Sequence, residues 1–375
     1  MIHLRLKLVR RVAALLLTAM ALLGLALLGL GLRPASALAG ADDPAALIEA
    51  GHWKQARALL EPKLASDPND AETVYLMSRV RVAFRDLAGA QKLAEQAVAH
   101  DGKNARYHEQ LAMVFGEQAQ AAGAMKAFGL VRRFRKEAEA AVALDPKSFD
   151  AQTGLMQFFQ QAPGMMGGDK KKARAKADEI LALDPVEGHL AHAELALASK
   201  DSTAAFEHLK KAVEADPASI QARLNLAGRL AAMRRYDEAV VEAREAQKLD
   251  SRRSGGYTVL AQLAAQQGRM TDLDQVLQQA EANVPDNRSA FYQAGRILLT
   301  ENKELPRAEK YFRHYLEQEP EGNTPSLAHA HWRLGLVLEK EGRSNDAVAE
   351  LESALKLKPD LDEAKKDLKR VKKQA

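Results

Sequence analysis

The sequence predicts an all-α protein built as a solenoid of short helical hairpins. The chain has 375 residues, too many for one ordinary hydrophobic core, and only 5% of them are aromatic. It is rich in the strong helix formers Ala, Leu, Glu, Lys, Arg and Gln, and no alternating β-branched run of useful length indicates a strand. A helix-breaking turn recurs about every 34 residues, which is typical of stacked two-helix units.

The formal charge of +4 does not indicate a nucleic-acid partner. Residues 1–39 contain five basic residues and no acidic one, so residues 40–375 carry 49 basic and 50 acidic side chains, a net charge of −1. Binding to a phosphate backbone needs a one-sided basic surface, which this balance does not supply. The absence of cysteine excludes disulfides, thiolate nucleophiles and cysteine-ligated metal sites.

The N-terminus has the three parts of an export signal. A basic leader of eleven residues precedes Val12–Leu32, an apolar run without charge, and Ala37 and Ala39 then give the spacing that a signal peptidase reads. We therefore predict a signal peptide over residues 1–39. The alternative is a permanent inner-membrane anchor, because about 20 apolar residues can span a bilayer. Both interpretations place residues 40–375 in the periplasm.

Helical hairpins are predicted across residues 40–360. The recurring turns are Asp67-Pro68, Asp101-Gly102, Asp145-Pro146, Asp184-Pro185, Asp216-Pro217, Asp250-Ser251, Val284-Pro285, Glu319-Pro320 and Lys358-Pro359. Small residues precede them with a spacing of four and then three, as at Ala239, Ala243 and Ala246, which marks one face of a helix. About nine hairpins result, and the strongly charged residues 361–375 are expected to form a capping helix and tail.

Once these columns are aligned, the pattern resembles the tetratricopeptide repeat. The best single match is Leu334-Gly335 followed by Gly342, Ala347, Ala354 and Pro359. The resemblance implies a right-handed superhelical solenoid that binds a protein or peptide in a concave groove lined by the first helix of each hairpin. Over roughly residues 71–200, which include Phe128-Gly129-Leu130 and Phe158-Phe159, the chain is similar to exported bacterial tetratricopeptide proteins of undefined role.

Three insertions interrupt the repeat, near residues 116–130, 161–168 and 323–327. The first two lie in a region rich in methionine and phenylalanine. Methionine fills irregular cores and lines adaptable binding surfaces, and clustered thioethers can also hold Cu(I), which is the least favoured of the three interpretations. We expect the first two insertions to pack back on the array and to shape an apolar pocket beside the groove.

The sequence contains no motif of an enzyme or of a cofactor site. The usual metalloprotease, hydrolase, dinucleotide and phosphate-loop signatures do not occur. His189 and His192 could share one helix face, but the sequence shows no third metal ligand beside them. We therefore predict a protein that is not an enzyme and has no catalytic residue, metal or cofactor. Catalysis would require an unexpected triad around His108, Glu109 or Asp169.

The favoured function is an exported scaffold or adaptor that binds a protein or peptide. The alternatives are a structural subunit of a cell-envelope assembly, such as a polysaccharide or transport machine, and an enzyme accessory protein. No nucleic-acid partner is expected, and membrane contact is expected only if the N-terminal segment is retained. The basic clamp for a C-terminal carboxylate is not found. The candidate partner-binding residues are Tyr75, Arg79, Glu109, Met113, Gln157, Gln160, Met165, Met166, Gln262, Tyr292, Arg296, His329 and Trp332.

Overall fold

The computed structural model describes residues 43–373, and 79% of these residues are helical. They form nineteen α-helices and one 3₁₀ turn, with no strand in this part of the chain. The prediction of an all-α superhelical solenoid is confirmed. The proposed signal peptide over residues 1–39 and the last two residues lie outside the described part.

Eighteen of the described helices pair as nine successive hairpins, and a final helix caps the last of them. The hairpins are α1 (Pro44–Ala50) with α2 (Trp53–Ser66), α3 (Ala71–Ala83) with α4 (Leu87–His100), α5 (Ala105–Ala121) with α6 (Ala124–Leu144), α7 (Phe149–Gln161) with α8 (Lys170–Leu183), α9 (Pro185–Ala198) with α10 (Ser202–Ala215), α11 (Ile220–Ala232) with α12 (Tyr236–Leu249), α13 (Ser254–Gln267) with α14 (Met270–Asn283), α15 (Ser289–Glu301) with α16 (Leu305–Leu316), and α17 (Leu327–Lys340) with α18 (Ser344–Leu357). The capping helix is α19 (Asp362–Val371), and the 3₁₀ turn Gly164–Met166 lies between α7 and α8.

Aspartates set several of the helix boundaries. Asp67 and Asp216 end α2 and α10 with extended backbone, because a proline follows each of them and disfavours the helical conformation of the residue before it. Asp70 and Asp169 begin α3 and α8, where their carboxylates accept hydrogen bonds from free backbone N–H groups of the first turn. These local preferences fix where each hairpin begins and ends.

Small residues allow the helices to pack closely. Ala239, Ala243 and Ala246 on α12 are between 0% and 2% exposed. The equivalent positions on other second helices are buried in the same way, as Ala90 and Ala94 on α4 show. An alanine side chain covers little of the helix surface, so the neighbouring backbone can approach it, and each hairpin buries its inner face against the next.

The insertions take three different forms. The first is helical, since α5 has 17 residues and α6 has 21, against 13 or 14 in most other helices. The second is the compact turn between α7 and α8. The third belongs to the loop of residues 317–326 between α16 and α17.

None of the helices within residues 43–373 is long and apolar enough to cross a membrane.

The first hairpin meets loops that lie more than 230 positions later in the sequence. His52 Nδ1 lies 2.9 Å from Asp286 Oδ2, and the backbone N–H of Lys54 donates to Glu321 Oε1 at 2.6 Å. Arg57 pairs with Glu319 at 2.6 Å. We call this region the closure junction: residues 52–57 with Ala83, and Asp286 with residues 319–323. The superhelix therefore brings its first hairpin against the loops on either side of the eighth hairpin.

Backbone contacts also join the two sides of the closure junction. The N–H of Asn323 donates to the carbonyl oxygen of Ala83 at 3.0 Å. Gly322 lies so close to α2 and α3 that an added Cβ would stand 2.7 Å from Ala83 Cβ and 2.9 Å from Trp53 Cγ. Only a residue without a side chain fits there undisturbed.

Candidate functional site

A cleft lies between the first helices α5 and α7, and Phe134 of α6 reaches into it. Two adjoining compartments, of about 290 Å³ and about 260 Å³, share Gly116, Gln120, Phe134, Gly154 and Gln157 as lining residues. Typical small-molecule pockets enclose roughly 300–1,000 Å³. Each compartment is therefore better matched to single side chains of a longer chain than to a whole small ligand.

Glycines on the two facing helices create the space for the Phe134 ring. A Cβ at Gly154 would stand 3.1 Å from this ring, and one at Gly116 would stand 3.6 Å from it. Because neither α5 nor α7 presents a side chain here, the ring lies between them and separates the two compartments. The lengthened α6 brings Phe134 to this point.

The first compartment is apolar, and the second insertion forms one of its walls. Phe158 of α7 is buried, with its ring 6.5 Å from that of Phe134, while Val131, Pro163 and Met166 complete much of the surface. We call it the apolar compartment. The wall is held in place by backbone hydrogen bonds, including one from Gly168 N–H to the carbonyl oxygen of Pro163 at 3.1 Å.

The second compartment is acidic. Glu109 and Glu117 of α5 and Asp150 of α7 contribute to its lining. Burial raises the pKa of Glu109, although the hydroxyl of Ser148 donates to its carboxylate and acts in the opposite direction. Asp150 is exposed to solvent, yet it lines this concave compartment, and partial burial by the surrounding protein raises the pKa of its carboxyl. Glu117 is paired with Arg85 at 2.6 Å.

Glu109 and Asp150 belong to a larger row of charged residues that crosses five consecutive first helices. Its members are Glu49 of α1, Arg79 of α3, Glu109 of α5, Asp150 of α7 and Glu187 of α9, and we call it the carboxylate row. Glu49 and Arg79 form an ion pair at 2.8 Å, and the positive charge of Arg79 partly offsets the burial that raises the pKa of both Glu109 and Asp150. Burial and the negative charges of Asp184 and Asp150 raise the pKa of Glu187.

Six of the predicted partner-binding residues lie at or near this cleft. Glu109, Met113 and Gln157 line the acidic compartment, and Gln157 and Met166 line the apolar one. Met113 remains 38% exposed. Arg79 belongs to the carboxylate row, and Gln160 lines a neighbouring pocket beside α8 and α9. The side chain of Met165 lies outside the described part of the structure.

Tyr75 and Tyr292 do not belong to an accessible groove surface. They are 5% and 4% exposed, because Tyr75 packs against Tyr107 and Tyr292 against Phe312 and Tyr315. Both aromatic side chains therefore serve as core on their first helices and do not line the cleft.

The remaining predicted residues lie on α13, α15 and α17, away from the cleft. Trp332 donates its Nε1 hydrogen to Asp367 of α19 at 2.8 Å, which ties it to the capping helix. His329 Nδ1 lies 2.8 Å from Ser326 Oγ, and burial lowers the pKa of this histidine. Burial and the charge of Arg333 lower the pKa of Arg296, while Gln262 is half-buried. The structure does not bring these four residues together with the cleft.

The catalytic triad considered at His108, Glu109 and Asp169 is not assembled. The two ring nitrogens of His108 contact Glu137 at 2.6 Å and the carbonyl oxygen of Gly102 at 3.0 Å. The carboxylate of Asp169 accepts hydrogen bonds from the first turn of α8. His108, Glu109 and Asp169 each contact a different structural partner, and none of the three forms a hydrogen bond with another.

A third histidine joins the predicted pair on α9. The Nδ1 atoms of His189 and His208 are 3.3 Å apart, and the ring of His192 stacks on that of His208 at 4.9 Å. Burial and neighbouring positive charges lower the pKa of His189 and His208. Because the stacked ring of His192 does not converge with the other two, the described residues hold no group of three or more ligands suited to a metal ion.

Sequence reasoning missed Phe134, Asp150 and Glu187. The available signal was a charged residue on each successive first helix, but its position changes from one hairpin to the next. Measured from the aspartate of the preceding turn, the charge lies twelve residues on in α3, eight in α5, five in α7 and three in α9. The row therefore runs diagonally, and no column of aligned repeats contains it.

Parts of the chain match known repeat sequences, and its fold is similar to several solved structures. Two sequence profiles of the tetratricopeptide repeat match the chain, over residues 47–114 and 328–361. No curated protein matches its sequence. Among solved structures it is similar to yeast Tom70, with 16% identity, 88% of this chain and 80% of that chain covered, and a TM-score of 0.48. It is also similar to a thermophilic TPR protein of Thermus thermophilus (21% identity, 50% and 95% covered, TM-score 0.44) and to PilF of Pseudomonas aeruginosa (19%, 63% and 99%, 0.40).

Proposed function

Because this chain is a tetratricopeptide-repeat protein, we propose that it is an exported binding scaffold whose cleft between α5 and α7 holds a segment of a protein partner. The observation that carries the proposal is the cleft itself. It lies on first helices, which line the concave face in this family, and it contains both an apolar and an acidic compartment. An open, bipartite surface of this kind suits an extended or helical polypeptide.

Binding, and not catalysis, is the role we assign to this cleft. Its titratable groups are carboxylates, and the candidate triad at His108 is dispersed among structural contacts. The half-buried lining around Phe134 and Phe158 and the solvent-exposed Met113 instead resemble the apolar centre and accessible rim of a protein interface.

Photocrosslinking tests where the partner binds. A photoreactive amino acid at Met113, on the rim of the cleft, should capture a partner in cells. The matched control is Val241, which is 57% exposed on the second helix α12. If Val241 captures the same partner with equal yield, or if Met113 captures none, the cleft is not the binding site.

Shortening the second insertion provides an independent test. Replacing residues 163–168 by a four-residue turn removes Pro163 and Met166 from the apolar compartment but leaves the helices on both sides intact. We expect the far-ultraviolet circular dichroism spectrum to stay helical and capture of the partner to weaken. Full retention of binding would contradict this role, and unfolding of the whole array would make the insertion purely structural.

The periplasmic location is part of the same proposal and rests on the signal-like residues 1–39. Fractionation should recover the protein with the periplasm, and N-terminal sequencing should begin near Gly40. Recovery in the membrane pellet with Val12–Leu32 intact would instead show a retained anchor, and recovery in the cytosol would refute export.

A further inference from the structure

The carboxylate row has more negative charge than the chain neutralises. It contains four carboxylates and one guanidinium, and that guanidinium, on Arg79, is already paired with Glu49 at 2.8 Å. Glu109, Asp150 and Glu187 follow on the next three first helices, and the negative charges of Glu49 and Asp150 act on their neighbours in the row. Like charges held together in a partly desolvated wall repel one another, so an incoming cation would stabilise them.

Three arginines close to the cleft in the sequence have partners of their own. Arg106 pairs with Glu72 at 3.0 Å, and Arg135 pairs with Glu139 at 2.7 Å. Arg133 lies over the ring of Phe115, with its guanidinium carbon 5.4 Å from the ring centre. These contacts hold the basic side chains outside the row and leave its acids facing the groove.

The apolar compartment adjoins the acidic one and shares Phe134 with it. Any segment that enters the cleft therefore meets an aromatic and aliphatic surface beside a row of carboxylates. An acidic segment would be repelled by the row, and a purely polar one would leave the apolar compartment filled only with water.

We infer that the occupant of the cleft is a segment of another protein that carries lysine or arginine side chains next to a large apolar side chain. The inference rests on the proposed function and adds the chemistry of the partner. The apolar side chain enters beside Phe134 and Phe158, and the basic side chains face Glu109, Asp150 and Glu187. The positive charge of this segment is opposite to the negative charge of a ligand bound through its C-terminal carboxylate.

Three synthetic peptides serve as probes. They are twelve-residue fluorescein-labelled peptides of one length and pattern, built from lysine and leucine, glutamate and leucine, or lysine and serine. Fluorescence anisotropy with the purified protein should show that the lysine–leucine peptide binds at least tenfold more tightly than either of the others. Equal or tighter binding of the glutamate–leucine peptide would overturn the inference.

Charge-removing variants locate the binding of the basic side chains. The double variant Glu109→Gln with Asp150→Asn should weaken binding of the lysine–leucine peptide about tenfold, equal to about 1.4 kcal/mol. The matched control, Glu214→Gln with Asp237→Asn, removes the same two charges from exposed positions on α10 and α12. An equal loss in both double variants would indicate general electrostatic attraction and would overturn the inference.

A variant that fills the cleft separates failure of the inference from failure of the proposed function. Gly154→Leu places a side chain against Phe134, and Gly154→Ala is the milder form if the first does not fold. Gly154→Leu should bring the affinity of the lysine–leucine peptide close to that of the lysine–serine peptide, and Gly154→Ala should weaken binding of the lysine–leucine peptide at least threefold. If Gly154→Leu abolishes tight binding of the glutamate–leucine peptide instead, the cleft binds the opposite charge and only the inference fails. If it changes the binding of no peptide, both proposals fail.

Discussion

Carboxylates from different hairpins meet at two places in this molecule, the closure junction and the carboxylate row. At the closure junction Asp286, Glu319 and Glu321 each receive a hydrogen bond or a positive charge from residues 52–57. The carboxylate row contains four acids and one arginine, and this arginine is already paired with Glu49.

The difference separates an internal contact from a surface that is open to a partner. At the closure junction the chain provides donors for its acids, and the two sides of the superhelix become joined. In the row the corresponding donors are too few, so the acids remain available to a ligand from outside. Four substitutions test whether the two groups of acids differ in this way.

Glu321→Gln tests the closure junction through its pH dependence. Glu321 is 3% exposed, and burial raises its pKa to about 7. A carboxyl whose pKa is raised in the folded state binds protons more strongly there, so stability falls as pH rises from about 4.5 to 7. At pH 8 the glutamine variant should stabilise the junction by up to about 3.5 kcal/mol, at about 1.4 kcal/mol for each of the roughly 2.5 pKa units. Hydrogen exchange of the Lys54 amide, which donates to Glu321, measures the opening of this contact.

His52 contributes in the same direction as Glu321. The hydrogen bond to Asp286 raises the pKa of His52, so its stabilising effect is present below about pH 6.5 and is lost as pH rises through the raised value. Glu319→Gln is the matched control, because Arg57 lowers the pKa of Glu319 and its contribution is lost only in acid. If both glutamine variants respond alike between pH 5 and 8, Glu321 does not govern the junction.

Gly322→Ala should open the closure junction by steric overlap. Its Cβ would stand 2.7 Å from Ala83 Cβ and 2.9 Å from Trp53 Cγ, an overpacking that costs about 1–3 kcal/mol. Small-angle X-ray scattering should show a larger radius of gyration, and the melting temperature should fall. Gly228→Ala is the control, since nothing lies within 4 Å of its added Cβ, and alanine within α11 should stabilise by about 0.5–1 kcal/mol. An unchanged radius in Gly322→Ala would show that the junction tolerates the methyl group.

Gly154→Ala should have a smaller effect on stability and a clear effect on binding. Alanine favours the helical backbone of α7 by about 0.5–1 kcal/mol, while its Cβ, 3.1 Å from the Phe134 ring, opposes this gain. We expect the free energy of unfolding to change by less than about 1 kcal/mol and the lysine–leucine peptide to bind at least threefold more weakly. Gly129→Ala on α6, with no atom within 4 Å of its Cβ, should leave peptide binding unchanged. Equal binding losses in the two variants would mean that the cleft is not being filled.

Asp150→Asn should change stability least. Burial raises the pKa of Asp150, so the ionised group slightly destabilises the fold above its ordinary pKa, and a neutral amide should raise the melting temperature a little at pH 7. The change in the free energy of unfolding should stay within about 0.5 kcal/mol, as for most surface substitutions. A fall in melting temperature at pH 7 would show that Asp150 is held by stabilising contacts, as Asp286 and Glu319 of the closure junction are.

Local signals in the sequence are sufficient to predict the repeating helical hairpin. Helix-forming composition, the aspartate and proline turns, and columns such as Ala239, Ala243 and Ala246 are local signals, because each depends on residues within one or two helical turns. The same signals placed Met113 and Gln157 on first helices and located the insertion that now lines the apolar compartment. These signals could not predict that Tyr75 and Tyr292 are buried, since burial depends on how the neighbouring hairpins pack.

The contacts of the closure junction and the alignment of the carboxylate row depend on how the hairpins stack in the tertiary structure. His52 and Asp286 are 234 positions apart, and only the accumulated curvature of the hairpins brings them within 2.9 Å. Glu109, Asp150 and Glu187 occupy different positions in their helices, so their alignment depends on how each hairpin is placed on the next. A local pattern determines which residues form a hairpin. The stacking angle between hairpins, which is a property of packed surfaces, determines which acids become neighbours.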